Sequence, residues 1–254
     1  MRMNEPWRAL YPFTSRWHAV GGHRMHYVDE GQGPAVLCVH GNPTWSFYWR
    51  RVVSTLAPTH RVIAIDHLGC GLSDKPEAGP YRLADHVERL ESLVHALDLK
   101  DVTLLMHDWG GAIGMGVAVR NPDRFARFGV FNTAAFPSAR MPARIAACRV
   151  PVLGPIAVRG FNGFAGAAVV MATERGLAPD VRAGLLAPYD SWANRVAVQR
   201  FVEDIPMDPS HPSWSTLVGI EAGLAQFKDR PWLIGWGERD WRSEEHTSEL
   251  QSQF

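Results

Sequence analysis

The spacing of apolar and polar residues changes character twice along the chain. Residues 14–29 read as two strands joined by Gly21-Gly22, a hairpin signal. PAVLCVH, Pro34 to His40, is an unbroken apolar run of the kind buried in a parallel sheet, and RVIAID, Arg61 to Asp66, is a second. Between them Gly41 and Pro43 mark a loop, and Ser46 to Leu56 reads as a helix. Leu83, Val87, Leu90, Val94 and Leu97 keep a four-three spacing, which predicts an amphipathic helix over 82–98. Val102 to Met106 and Arg127 to Asn132 add two further strands. The alternation predicts an α/β fold, a mostly parallel doubly wound sheet with a hairpin in front of it.

From Phe136 the rhythm breaks. Residues 136–228 are rich in Ala, Pro and Arg, and no apolar strand run appears. Helical patches fall at 178–187, 191–203 and 212–227, the last with Pro212 suited to its first turn. The strand pattern resumes after Pro231 with WLIGWGERDW. We therefore expect one α/β core, residues 1–135 and 229–241, carrying a helical cap, residues 136–228, over its strand ends.

The segment 101–120, DVTLLMHDWGGAIGMGVAVR, joins a strand to a small-residue helix with no room for a loop. That is the pattern of a nucleophile elbow, a sharp turn that lifts one side chain above the sheet. Its usual form is G-x-S-x-G; here the raised position is Asp108, followed by Gly110. Gly111, Ala112, Gly114 and Gly116 suit a helix packed closely on the sheet. A carboxylate is already ionised at neutral pH and needs no base to attack an sp3 carbon bearing a leaving group. Only hydrolysis of the resulting alkyl ester needs one. The plainer alternative is an N-cap, a role for which Asp is favoured. His107 points away from its neighbour on such a turn and suits a supporting hydrogen bond.

Composition narrows the picture. A hydrophobic content of 46% with 20% charged residues is that of a globular protein with a sizeable core. Formal net charge is zero, so nothing favours nucleic acid or an acidic membrane surface as partner. Three scattered cysteines, Cys38, Cys70 and Cys148, argue for a reducing compartment. The N-terminus lacks the apolar run of a signal peptide, and no stretch is long and apolar enough to span a bilayer. A cytoplasmic protein is the expectation. HLGCGLSDKP, residues 67–76, has no G-x-G-x-x-G, so no dinucleotide is implied. His23 and His26 lack partners at metal-ligand spacing. No cofactor and no metal are expected.

HGNPTWSFYWR (40–50), the Asp elbow with HDWGG (107–111), the helical insertion and the strand ending in GERD (237–240) occur in an order that resembles the haloalkane dehalogenases of the α/β-hydrolase superfamily. The resemblance runs from about Thr14 to Trp241. It implies Asp108 as nucleophile and the side chains of Asn42 and Trp109 as neutral N–H donors that hold the departing halide. The backbone N–H groups at those two positions would form an oxyanion hole. It also implies Asp240 as the acid that orients the catalytic histidine, since no carboxylate stands near Asn132. Each has a plainer reading: a turn residue for Asn42, core packing for Trp109, a surface turn for Asp240. Asp66 and Asp74 look structural. The substrate would be a small apolar organic molecule, with water as second reactant.

The family's base histidine lies after one more strand. Here RSEEHTSELQSQF, residues 242–254, follows, with no strand pattern. RSEEHTSELQS is what a common short-read sequencing adapter encodes in frame. We expect 242–254 to be a non-native tail, His246 to be an accident, and the C-terminal strand and helix of the fold to be missing. The literal chain should then be poorly soluble and stall at the ester. The β-lactone decarboxylases of bacterial olefin synthesis are a close relative sharing the Asp nucleophile, and HLGCGLSDKP and WLIGWGERDW look more like them. Epoxide hydrolases want two cap tyrosines, and the insertion has only Tyr189. A haloacetate dehalogenase would want a basic residue where Trp109 stands. An inactive fragment is the reading from a different class.

Overall fold

The structure, a computed structural model, describes residues 5–138, 141–171 and 176–237. Seven strands form one sheet: β1 (Arg16–Val20), β2 (His23–Glu30), β3 (Ala35–Val39), β4 (Arg61–Ile65), β5 (Val102–His107), β6 (Phe125–Phe131) and β7 (Trp232–Gly235). Their spatial order is β1-β2-β4-β3-β5-β6-β7. The hairpin β1–β2 is antiparallel and joins β4 antiparallel; β4, β3, β5, β6 and β7 run parallel. Gly21 and Gly22 both take positive φ, which makes the tight turn between β1 and β2 possible.

Helix α1 (Arg50–Leu56) is preceded by a 3-10 turn, Ser46–Trp49, so the expected Ser46–Leu56 helix begins tightly wound. Helix α2 (Leu83–Ala96) buries Leu83, Val87, Leu90 and Val94, as its spacing predicts. Helix α3 (Trp109–Arg120) follows β5 directly. One face of the sheet packs on α2 and α3 through Leu37, Ile63, Leu104 and Ile113. The other packs on the N-terminal aromatics Trp7 and Tyr11 and on Trp45, Phe47 and Val53.

Among the described residues, those after β6 and before β7 form helices only: α4 (Ala143–Ala147), α5 (Leu153–Pro155) running into a π-helical turn Ile156–Gly160, α6 (Gly163–Met171), α7 (Pro179–Leu186), α8 (Val196–Glu203) and α9 (Trp214–Gly223). The last three lie within the helical patches expected from sequence. The helices of 143–171 were not expected. Their apolar residues run with little polar alternation, so no 3.6-residue stripe marks them. Pro212 corrects another expectation: α9 starts at Trp214 with Ser213 as its N-cap, which puts Pro212 before the cap rather than in the first turn.

Candidate active site

Strand order places the site. The parallel part of the sheet begins at β3, with β4 added on one side and β5 on the other. Loops leaving β3 and β5 therefore part at a switch point, where open α/β sheets leave a crevice. Val39 pairs with Met106, so Asn42, three residues beyond Val39, and Asp108, two beyond Met106, emerge side by side.

Asp108 has φ 53° and ψ −129°, a left-handed conformation costly for a residue with a Cβ. Three features hold it there. The Asn42 backbone N–H donates to Asp108 Oδ1 at 2.7 Å. The Thr133 hydroxyl donates to the Asp108 carbonyl. Glycines let the backbones close: a Cβ on Gly41 would strike Asp108, one on Gly110 the Val39 carbonyl, and one on Gly111 the Thr133 hydroxyl. Asp108 has no side-chain hydrogen bond capping α3, so the plain N-cap reading loses its main support.

The HGNP loop is fixed by two buried histidines. The His67 backbone N–H donates to His40 Nε2 at 3.0 Å, which leaves the His40 proton on Nδ1 to donate to the Gly41 carbonyl at 2.8 Å. His67 Nε2 donates to the His40 carbonyl at 2.9 Å. Burial lowers the pKa of both rings, that of His67 strongly, so both stay neutral. The Tyr189 hydroxyl donates to the Thr44 carbonyl and the Trp45 indole to the Gly184 carbonyl, tying this loop to the helical segment.

Asp108 and Trp109 line a cavity of about 210 Å3, walled by Ala112, Phe136, Pro142, Ile145, Ile205 and Leu217, with Asn132, Thr133 and Ser138 as polar members. The walls are mostly apolar and Asp108 is the one charged group among them, an arrangement for an uncharged, lipophilic molecule. Of the residues singled out from sequence, Asp108 and Trp109 line this cavity, and Asn42 touches Asp108 through its backbone N–H without being among the lining residues. The Asn42 side chain, 5% exposed, donates through Nδ2 to the Val198 carbonyl of α8 at 3.0 Å. Trp109 leans on Phe201 of α8 with ring centroids 5.5 Å apart. His107 turns away and stacks on Tyr48 at 4.5 Å. Tyr189 is fully buried, spends its hydroxyl on Thr44 and is not among the cavity-lining residues, which leaves it unsuited to protonate an epoxide. Asp240 and His246 lie outside the described residues.

Known proteins resemble this chain in sequence and fold. Residues 34–145 match the α/β hydrolase fold family. A cis-3-alkyl-4-alkyloxetan-2-one decarboxylase of Shewanella oneidensis is 43% identical over 244 residues, 93% of this chain and 77% of that protein. The chain belongs to the α/β-hydrolase family. Haloalkane dehalogenase 2 of Mycobacterium bovis is 34% identical over 236 residues, covering 91% of this chain and 80% of that one. The crystal structure of a haloalkane dehalogenase from Bradyrhizobium elkani superposes with a TM-score of 0.87 at 25% identity, over 95% of this chain and 87% of that chain.

Within this candidate site, sequence reasoning missed Thr133 and the His40–His67 pair. Thr133 stands two residues past β6 in TAAF, where nothing but its distance from the strand end marks it. Asp66 and Asp74 are structural, as expected. Asp66 accepts from Ser46 N–H at 2.6 Å, Leu72 N–H at 2.8 Å and His26 Nδ1 at 2.8 Å. Asp74 accepts from the Arg24 N–H at 2.8 Å.

Proposed function

We propose that the Asp108 carboxylate attacks an sp3 carbon of a lipophilic substrate and forms an alkyl ester with the protein. The observation that carries this is a carboxylate on a strained strand-to-helix turn, held by the Asn42 N–H and lining a mostly apolar cavity. The favoured substrate class is a cis-3,4-dialkyl oxetan-2-one, in keeping with the higher identity to the oxetanone decarboxylases than to the dehalogenases.

The chemistry closes without further groups. Asp108 attacks C4, the C4–O bond breaks, and its electron pair becomes a carboxylate on C2. The C2–C3 bond then breaks, its pair forms the C3=C4 double bond, and the Asp108 carboxylate departs from C4. Carbon dioxide and an alkene leave, and Asp108 is restored. Inversion at C4 followed by anti elimination carries a cis lactone to a cis alkene. Neither water nor a base takes part.

Trp109 favours a second reading, displacement of halide from a haloalkane: its indole flanks the nucleophile and lines the cavity, in reach of a departing anion. That route ends in an ester that water must open, with a base histidine and Asp240 as its orienting acid. We take residues 136–228 as the cap that closes both routes from solvent.

One experiment separates the readings. The chain is incubated with a long-chain cis-β-lactone and, separately, with a 1-bromoalkane; gas chromatography follows alkene, ion chromatography follows bromide, and peptide mass mapping follows Asp108. We expect many turnovers of alkene from the lactone, and from the bromoalkane about one bromide per chain with the alkyl group on Asp108. Bromide turnover without alkene would replace the first reading by the second. Either activity surviving in Asp108→Asn would end both.

A further inference from the structure

A buried carboxylate that the proposed chemistry does not use sits behind the cavity wall. Asp204 directly follows α8 and is 2% exposed. Three groups donate to it. The Arg82 guanidinium reaches Oδ1 at 3.0 Å, the Leu83 N–H reaches Oδ2 at 2.7 Å, and the Ser213 hydroxyl lies 2.8 Å from both oxygens. Leu83 is the first residue of α2 and Ser213 is the N-cap of α9. One side chain at the end of α8 therefore pins the starts of two other helices. A guanidinium and a backbone N–H can only donate, and each takes a different oxygen, so the position demands an acceptor at both ends. Burial raises the pKa of Asp204, and hydrogen bonds from Arg82, Ser213 and the Leu83 N–H each pull it back without cancelling the rise.

The chain on either side of this junction lines the cavity. Ile205 and Pro206 come next after Asp204, and both are wall residues. Leu217 of α9, also a wall residue, lies one turn past Ser213, to whose carbonyl its N–H bonds at 3.1 Å. Residues 205–207 belong to no helix or strand, so no regular backbone pattern fixes them. Their place is set by anchors at each end of the turn. Asp204 ties its start to α2 and α9, and the Arg149 guanidinium donates to the Ile205 carbonyl at 2.8 Å.

We infer that Asp204 is a positioning residue: it sets the wall formed by Ile205, Pro206 and Leu217, and with it how tightly the cavity grips the alkyl chain of its substrate. The inference rests on the reading of this cavity as the substrate site. Asp204 makes no hydrogen bond to Asp108, Asn42 or Thr133, so a displaced wall weakens binding before it disturbs the reacting carboxylate. The longer the alkyl chain, the more contact it loses with that wall. Asp204→Asn is the sharpest probe. It keeps the shape, but its Nδ2 turns an N–H toward a group that can only donate.

The test compares the full chain with Asp204→Asn, and with Ser213→Ala and Arg82→Met, which each remove one donor and keep the carboxylate. Circular dichroism checks that each variant is folded. For whichever substrate the parent converts, lactone or bromoalkane, we expect Asp204→Asn to raise KM about tenfold for a long-chain member and to change kcat by less than about threefold. A short-chain member should lose less than about threefold in KM, and the single-donor variants should fall between parent and Asp204→Asn. A fall in kcat at constant KM, or equal losses on short and long chains, would overturn the inference. Amide hydrogen exchange needs no substrate and separates this inference from the substrate reading. We expect faster exchange in Asp204→Asn at 204–217 and in the first turn of α2, with β3 to β6 unchanged. Faster exchange throughout the sheet would reveal lost stability only, and unchanged exchange at 204–217 would mean that the wall has other supports; either result overturns the inference. If Asp204→Asn does not fold, the single-donor variants carry the same comparison, and parental KM and exchange in both would overturn it. Faster local exchange in a chain that converts neither substrate would uphold the positioning by Asp204 and remove the substrate reading alone.

Discussion

Asp108 is the residue on which the proposed chemistry depends, and its neighbours carry the strain. Holding a non-glycine residue at φ 53° costs of the order of 1–3 kcal/mol, and the Thr133 hydroxyl on its carbonyl offsets part of that. Thr133→Val keeps the shape and deletes the donor. We expect unfolding stability to fall by about 1 kcal/mol and ester formation on Asp108 to slow about tenfold, read by urea titration and by the time course of the mass adduct. Asp66 tests the frame beneath. Burial would raise its pKa, but the charge and hydrogen bond of His26, helped by the Leu72 N–H, hold it below the ordinary aspartate value. A carboxylate with a depressed folded-state pKa adds stability that is present above the unfolded value, about 3.9, and is lost as pH falls through the folded one. The urea midpoint should therefore drop steeply below about pH 4. Asp66→Asn should flatten that limb and cost about 1–3 kcal/mol at neutral pH, because the Ser46 N–H, the Leu72 N–H and the His26 Nδ1 lose a charged acceptor.

At the scale of elements, α3 and α9 make opposite use of glycine. A Cβ at Gly110 would overlap the Val39 and His40 carbonyls, so Gly110→Ala must lift α3 from β3. We expect a loss of about 3 kcal/mol and no adduct on Asp108. Gly219, inside α9, has nothing within 4 Å of a built Cβ, so Gly219→Ala should add about 0.8 kcal/mol by helix propensity. Thermal melts of the two variants check both signs. The same contrast explains what could be read from sequence. The strands of the core and helix α2 announce themselves because each buries one face against a fixed neighbour and so keeps a strict period. The close packing of α3 could be read from its run of small residues. Helices α4 to α6 bury some apolar residues and expose others, so burial no longer follows polarity and the period disappears. Asn42 shows a different limit: its residue type marks a donor, but whether the side chain serves the cavity or α8 depends on where α8 lies, which is set by contacts 156 residues apart.

At the scale of the whole molecule the decisive feature is the far edge of the sheet. β7 pairs with β6 and, among the described residues, with no other strand. Leu233 is 60% exposed and Ile234 41%. Neighbours along a strand point to opposite faces, so among the described residues β7 is partly uncovered on both faces as well as along its edge. Natural sheets protect such edges with charge, proline or cover, because an unpaired apolar edge templates pairing with another chain. The chain should therefore associate as its concentration rises, and Leu233→Lys should shift light scattering toward monomer and raise the soluble yield. Phe161→Ser, which removes apolar surface in the helical segment before α6, should leave edge association in place. If Phe161→Ser rather than Leu233→Lys restored the monomer, association would run through that segment and the sheet edge would be innocent. Because the site sits at the β3–β5 switch point near the centre of the sheet, Leu233→Lys should leave the yield of Asp108 adduct per folded chain unchanged.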